Sequence, residues 1–294
     1  MAVEVFTVGA DVALLTIHGK AQQIEPVFAE SFACKLRVTD KFNTDNLGSF
    51  DGKTPRTTSP IETALKKAYL ACELTGLPQG LGSEGSFHSH ITGSTSNTEI
   101  IAFVDTRIGL EIFGFAQQFV PFNEIRVADE HQFQDVFESQ IEPLGADQKW
   151  LLIQSDPQYN RQNLPNPAIK GLSKDEIITH IQFWPASIEP DFRAMNCPHR
   201  QHTILMAAKD LVNNIQSSCP KCNWPNFIPE NRKYSKIKKV KNSHSYDYLA
   251  CESCGAVTTQ IKAPSPHCDN CDYSIQNSEI AATASAYYCT VCNP

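Results

Sequence analysis

The sequence predicts an α/β protein, with a mixed-sheet domain over residues 1–216 and a small double zinc ribbon over 217–294. Three observations carry that expectation. Through residues 11–216, apolar runs of strand length alternate with amphipathic stretches of helix length. Eight of the eleven cysteines fall in the last 76 residues, as four Cys-x-x-Cys pairs. Charge divides at the same place: residues 1–218 carry 17 Lys and Arg against 26 Asp and Glu, whereas residues 219–262 carry 8 against 3.

Each element has its own warrant. Residues 11–18 (DVALLTIH) read as a buried strand, and Gly19-Lys20 opens a helical pattern through Phe32. Residues 34–38 form a second short strand, and 43–58, with Gly48, Gly52 and Pro55, form a loop. Ser59 as N-cap, Pro60 at the first helical position and Glu62 in the first turn start a helix. It runs through Leu65, Ala68, Tyr69 and Cys72 and stops at Gly76-Leu77-Pro78. A glycine-dense segment over 80–87 precedes strands over 100–105 and 110–116. A helix over 130–141, a strand over 150–153 and a long helix over 200–215 complete the domain. The proline-rich stretches 157–167 and 185–198 read as loops. Cys34 and Cys72 lie in apolar surroundings and read as core residues.

Composition narrows the classes. At 294 residues the chain has room for about two domains of roughly 150 each. With 41% apolar and 19% charged residues it can bury a large core, which excludes a disordered chain. No run approaches the roughly 18 apolar residues that span a bilayer, so no membrane role is expected. The opening MAVEVFTVGADVALL is acidic where an export signal is basic, so a cytoplasmic location is expected. A net charge of −7 argues against a whole-surface nucleic-acid binder. Oligomeric state is left open.

The cysteine pairs are Cys219/Cys222, Cys251/Cys254, Cys268/Cys271 and Cys289/Cys292. Two thiolates three positions apart curl around one ion, so four pairs predict two closed, structural Zn2+ sites. A disulfide framework is the alternative, and the lack of an export signal counts against it. Pairing is open; the 13-residue spacer between Cys254 and Cys268 suits a ribbon made by the two middle pairs. The basic run from Arg232 to Lys241, flanked by Trp224 and Tyr246, is either a solvated edge or a contact for an RNA or protein partner.

Four segments point to one chemical site. Thr16-Ile17-His18-Gly19-Lys20 ends a strand with a glycine turn, a helix start and a lysine, which together suit a phosphate chain. Glu62 with Lys66 and Lys67, one turn along a helix, sets an acid and a base on one face. Gly82-Ser83-Glu84-Gly85-Ser86-Phe87 seats a carboxylate among small residues that allow close approach of a ligand or metal. His199-Arg200 opens the last long helix. Taken singly, these also read as a turn, a surface pair, a glycine turn and a helix cap.

The stretch SPIETALKKAYLACELTGLPQGLGSEGSF over 59–87 resembles the core of the inosine triphosphate pyrophosphatase family. There, an E-N-A-x-x-K-A helix leads through T-G-L-P into a strand ending in an acidic motif. Thr16 to Lys20 is similar to that family's opening T-N-P-x-K turn, and Pro198-His199-Arg200 to its closing Ser-His-Arg motif. Ile61-Glu62-Thr63 and Ser83-Glu84-Gly85 are closer still to the inosine/xanthosine triphosphatase branch. The resemblance implies Mg2+-dependent hydrolysis of a non-standard nucleoside triphosphate. Glu84 and Glu62 would hold the metal, with Asp51 as an outside candidate. Lys20 and Lys66 or Lys67 would hold phosphate oxygens beside Thr16 and Ser83, and His199 and Arg200 would lie near the base. Three departures stand out: Asn is absent from the first turn, one carboxylate remains at Ser83-Glu84, and Pro198 replaces Ser. They leave room for a non-catalytic nucleotide- or RNA-binding or protein-interaction module. The whole chain also resembles a bacterial family known only as a domain of unknown function, through His18-Gly19-Lys20, Leu47-Gly48-Ser49-Phe50, the 75–87 segment and the final cysteine pairs.

Overall fold

The structure, a computed structural model, describes residues 5–6, 9–47, 58–89, 95–120, 124–162, 165–228 and 249–258. Asp51, the basic run 232–241 and the pairs Cys268/Cys271 and Cys289/Cys292 lie outside the described residues. The chain divides into two compact units, Phe6–Val212 and, with Met1–Val5, Asn213–Pro294.

The first unit is built on a five-stranded mixed sheet. Strand β1 (Asp11–Leu15) leads into helix α1 (Ala21–Phe32) and then β2 (Lys35–Thr39), which pairs parallel with β1. Helix α2 (Pro60–Thr75) returns the chain to the other side of β1, where β3 (Gln79–Ser89) also pairs parallel with it. Antiparallel β4 (Thr95–Asp105) and β5 (Leu110–Val120) follow, giving the order β2-β1-β3-β4-β5. β1 is therefore where successive crossovers part to opposite sides, a topological switch point.

The start of α2 follows from local chemistry. Ser59 Oγ accepts from the Glu62 N–H, and the Glu62 carboxylate accepts from the Ser59 N–H at 2.9 Å, a reciprocal capping box. The glycine-dense stretch after it is the first half of β3. A Cβ on Gly80 or Gly82 would collide with the backbone of α2 at Ala68 and Ala64, so these glycines let the helix lie directly on the strand. The even positions of β3 thus face α2. The odd face packs against α1, through Phe28 and Phe32 around Phe6 and Phe103, and against α6 (Pro198–Gln216), whose backbone at Ala207 and Leu211 would meet a Cβ on Gly114.

β4 and β5 run longer than the predicted 100–105 and 110–116, because buried polar residues such as Ser96, Asn97 and Glu99 extend the pairing beyond the apolar run. Residues 125–190 contain a second sheet that sequence patterning missed, in the antiparallel order β6-β9-β7-β8. Its strands are β6 (Ile125–Val127), β7 (Trp150–Gln154), β8 (Ile169–Leu172) and β9 (Ala186–Pro190). Only β7 was expected. The predicted helix over 130–141 is α3 (Glu130–Val136) with a wider π turn from Phe137 to Ile141. The proline-rich stretches hold the short α4 (Pro157–Arg161) and β9 rather than loops throughout. Trp150, Phe133, Ile141, Leu152 and Ile188 form the core of this subdomain, closed by α5 (Lys174–His180). No helix among the described residues is long and apolar enough to cross a membrane.

In the second unit, β10 (Leu249–Ala250) pairs antiparallel with β11 (Val257–Thr258) around Cys251 and Cys254.

Candidate functional site

Beyond the carboxyl end of β1, the β3–β4 hairpin continues without a β1 neighbour, and five ionisable side chains converge on it. On the face toward α6, Glu99 is fully buried and accepts from Lys20 Nζ at 3.3 Å and Arg200 Nε at 2.6 Å. On the face toward α2, Glu84 accepts from Lys67 Nζ at 2.5 Å, and Lys67 also reaches the Ser83 carbonyl at 3.5 Å. All five residues are at most 8% exposed. Burying a charge costs several kcal/mol unless it is paired, and a buried cluster of this kind is a candidate functional site.

Each charge is placed by its element. Lys20 stands at the N-terminus of α1, which has no side-chain cap and no acid in its first turn. Arg200 is in the first turn of α6, and its Nη1 donates to the Phe192 carbonyl at 2.6 Å. The loop carrying Phe192 is pinned by buried Asp191, which accepts from Arg193 and from Asn196 Nδ2. Gly85 lies opposite Glu99, where a Cβ would overlap the Glu99 carboxylate and Arg200 Nη2. Asn97, two positions from Glu99 on the same face, donates Nδ2 to Glu99 Oε1 at 3.2 Å and to the Ser86 carbonyl. Two acceptors on one nitrogen fix the amide orientation. Asn97 Oδ1 is then a buried acceptor with no partner among the described residues.

The cluster carries one more cation than carboxylates. Burial works against the Glu99 carboxylate, but Arg200 and Lys20 outweigh it and bring the group down to about 2. Burial lowers Lys20 to about 8, against the pull of Glu99 and with help from the Arg200 charge. Three cations face two carboxylates in this cluster. A divalent ion held by protein carboxylates alone does not suit that balance, whereas one already carried by a polyphosphate does.

The sequence-predicted residues fall into distinct places. Lys20, Lys67, Ser83, Glu84 and Arg200 are buried in the cluster. Thr16 is buried at the end of β1, its Oγ1 accepting from the His18 N–H at 3.3 Å. Lys66 is exposed on α2, so Lys67 is the lysine that faces the sheet. The exposed Glu62 carboxylate serves the capping box. His199 is half-buried beside Arg200, and burial lowers its pKa, as does the neighbouring His202. Sequence reasoning missed Glu99, Asn97 and Asp191; for the first two the available signal was the polar run over 95–99 just before the apolar run of β4.

In the second unit, the sulfurs of Cys219, Cys222, Cys251 and Cys254 all lie within 4.8 Å of one another. Cys219 faces Cys254 at 3.8 Å, and Cys222 faces Cys251 at 3.4 Å. A tetrahedral site with metal–sulfur bonds near 2.3 Å has sulfurs about 3.8 Å apart, so the set is compatible with zinc. The first and second pairs meet, not the two middle pairs that the spacer suggested. The two turns are alike: the first cysteine of each accepts from the N–H four positions on, Asn223 or Gly255, and both residues have positive φ, 60° and 67°. The first cysteine N–H donates five positions on, to Trp224 or Ala256. These repeated bonds direct both sulfurs of a pair to one side.

The chain belongs to the family described as a domain of unknown function, DUF6671, whose sequence model matches residues 67–294. No curated protein and no solved structure matches the chain.

Proposed function

We propose that this DUF6671 protein binds and hydrolyses a nucleoside triphosphate at the switch-point cluster, and that a structural zinc ion sits on Cys219, Cys222, Cys251 and Cys254. The observation that carries the first part is the buried excess of cations, Lys20, Lys67 and Arg200 over Glu84 and Glu99, at the carboxyl end of β1. The motif order shared with the inosine triphosphate pyrophosphatase family supports the same reading.

In this reading Lys20 and Lys67 hold phosphate oxygens from the two faces of the hairpin, and Arg200 fixes Glu99 and adds positive potential. Magnesium arriving with the nucleotide would neutralise phosphate charge and favour an ionised water, and Glu84, with Glu62 as a more distant candidate, would hold it. The attacking water forms a bond to the α-phosphorus. The bond from that phosphorus to the bridging oxygen breaks, pyrophosphate leaves and one proton passes to solvent. Lys67, released from Glu84 onto a phosphate oxygen, frees that carboxylate to orient the water.

The test is pyrophosphate and phosphate release from common, deaminated and oxidised nucleoside triphosphates with magnesium. Glu84→Gln and Lys20→Ala are each expected to lower release roughly a hundredfold. Full release in both variants removes the cluster from the reaction. A nucleotide receptor without turnover is the second reading, favoured by the observation that both carboxylates are ion-paired. It predicts binding lost with Lys20 but no product from any nucleotide.

For the cysteine site the donor set supports this reading: four closely spaced thiolates suit zinc and would leave no open position for catalysis. The metal would hold the two turns together, contributing on the order of 10 kcal/mol to the fold of this unit. A second zinc on Cys268, Cys271, Cys289 and Cys292 and an RNA or protein partner for residues 232–241 complete the proposal. Metal analysis giving two zinc ions per chain, and one after Cys251→Ser, is the expected result.

A further inference from the structure

Next to the charged cluster, the carboxyl ends of β1 and β2 and the first residue of α1 enclose a depression of about 420 Å³, lined by Thr16, Ile17, Gly19, Ala21, Val38 and Asp40. That volume lies within the range of small-molecule sites. Its place is given by the chain path: β1 and β2 are parallel neighbours, and the Thr16 N–H donates to the Thr39 carbonyl at 3.2 Å, holding the end of β1 against the end of β2. The wall is apolar at Ile17, Ala21 and Val38, and Val38, next to last in β2, is 51% exposed. At its rim stands Asp40, the first residue after β2, with an exposed carboxylate that no cation pairs with among the described residues. The same wall contains Thr16 and Gly19, which lead directly to Lys20.

We infer that this depression is the ribonucleoside subsite, with Asp40 accepting hydrogen bonds from the ribose 2′- and 3′-hydroxyls and Val38 and Ile17 covering one side of the sugar and base. A carboxylate is acceptor-only, so two adjacent hydroxyl donors match its two oxygens. In dinucleotide-binding doubly wound sheets an acid about 20 residues after the glycine turn, on the strand parallel and next to the first, meets the ribose; the β1–α1–β2 path here places Gly19 and Asp40 in comparable positions. The polyphosphate then extends past Gly19 toward Lys20, where the surplus positive charge lies. An anion would avoid Asp40, so the carboxylate also fixes which end of the nucleotide enters which half of the site. The inference rests on the nucleotide reading above and specifies its substrate as a ribonucleotide.

The experiment is calorimetric titration with magnesium present, using inorganic tripolyphosphate, a ribonucleoside triphosphate and its 2′,3′-dideoxy analogue against the full chain and its Asp40→Asn variant. Tripolyphosphate and ribonucleotide binding to the wild type support the nucleotide reading itself. Given that, the ribonucleotide should bind the wild type about tenfold tighter than the dideoxy analogue, the worth of hydrogen bonds to a charged acceptor. In Asp40→Asn the ratio should fall toward one. Equal affinity of the two nucleotides for the wild type, or a ratio that survives Asp40→Asn, overturns the subsite while leaving the nucleotide reading standing. Loss of tripolyphosphate binding in Asp40→Asn assigns the carboxylate to metal or phosphate and overturns it as well. Failure of tripolyphosphate and both nucleotides to bind the wild type overturns both.

Discussion

The switch-point cluster and the cysteine cluster each crowd ionisable groups into a small volume, and they differ in what balances the charge. In the first, every carboxylate meets a cation from another element: Glu99 meets Lys20 and Arg200, and Glu84 meets Lys67. The protein balances both carboxylates with its own side chains and keeps one cation in excess. In the second, four donors of one kind face each other. Burial opposes ionisation of Cys251, yet the N–H groups of Cys254 and Ser253 and the Cys222 thiol bring it down to about 7. The Trp224 N–H favours a Cys222 thiolate, but desolvation and the three facing sulfurs push that thiol up to about 12. The first cluster is balanced by the protein's own charges, and in our proposal the second is balanced by zinc.

Removing the cation should separate the two regions most. Chelation is expected to cost the second unit on the order of 10 kcal/mol, with proteolysis cutting within 213–258 while Phe6–Val212 survives. Equal protection before and after chelation would show that the cysteines hold nothing together. A smaller effect is expected within the first unit. Glu99→Gln leaves Lys20 and Arg200 facing each other without their carboxylate, a loss of about 3–5 kcal/mol in urea unfolding. A change below 1 kcal/mol would mean that the pair is not a unit. Gly85→Ala should cost about 1–3 kcal/mol, because its methyl enters the space of the Glu99–Arg200 contact. Unaltered stability there would argue against that close approach.

pH gives the finest test. Lys20 is lowered from 10.5 to about 8, chiefly by burial, so between these values the unfolded chain binds the extra proton and this group's contribution to stability rises with pH. Affinity for an anion moves the other way, falling several-fold as pH climbs through about 8. Lys20→Arg should flatten both trends. Glu99 works at the other end: brought down to about 2 from 4.5, its contribution is present above about pH 4.5 and is lost as pH falls toward 2. Titrations of tripolyphosphate between pH 6 and 10 and urea melts extended down to pH 2 report these signs directly.

What the sequence discloses follows the range of the interaction. The capping box at Ser59 and Glu62 and the turns at Cys219 and Cys251 are made within a few residues, so spacing alone reveals them. The charged cluster joins residues 79 and 101 apart, Lys20 and Arg200 to Glu99, and no local pattern records that meeting. Lys66 and Lys67 are equivalent in sequence; only the glycine-lined seat of α2 on β3 turns Lys67 inward. The second sheet was hidden because β6, β8 and β9 are three to five residues long and one lies in a proline-rich stretch. Its one plain signal was Ser173-x-x-Glu176, where the Glu176 carboxylate accepts from the Ser173 N–H at 2.8 Å and starts α5.

The central claim is that the buried cations at the end of β1 bind a polyphosphate. Calorimetric titration of magnesium nucleoside triphosphate into the zinc-loaded protein and into Lys20→Met, with folding of both checked by circular dichroism, tests it most directly. The account predicts saturable binding by the wild type and at least a tenfold loss in the variant. Equal affinity in the two proteins, or none in either, would contradict it.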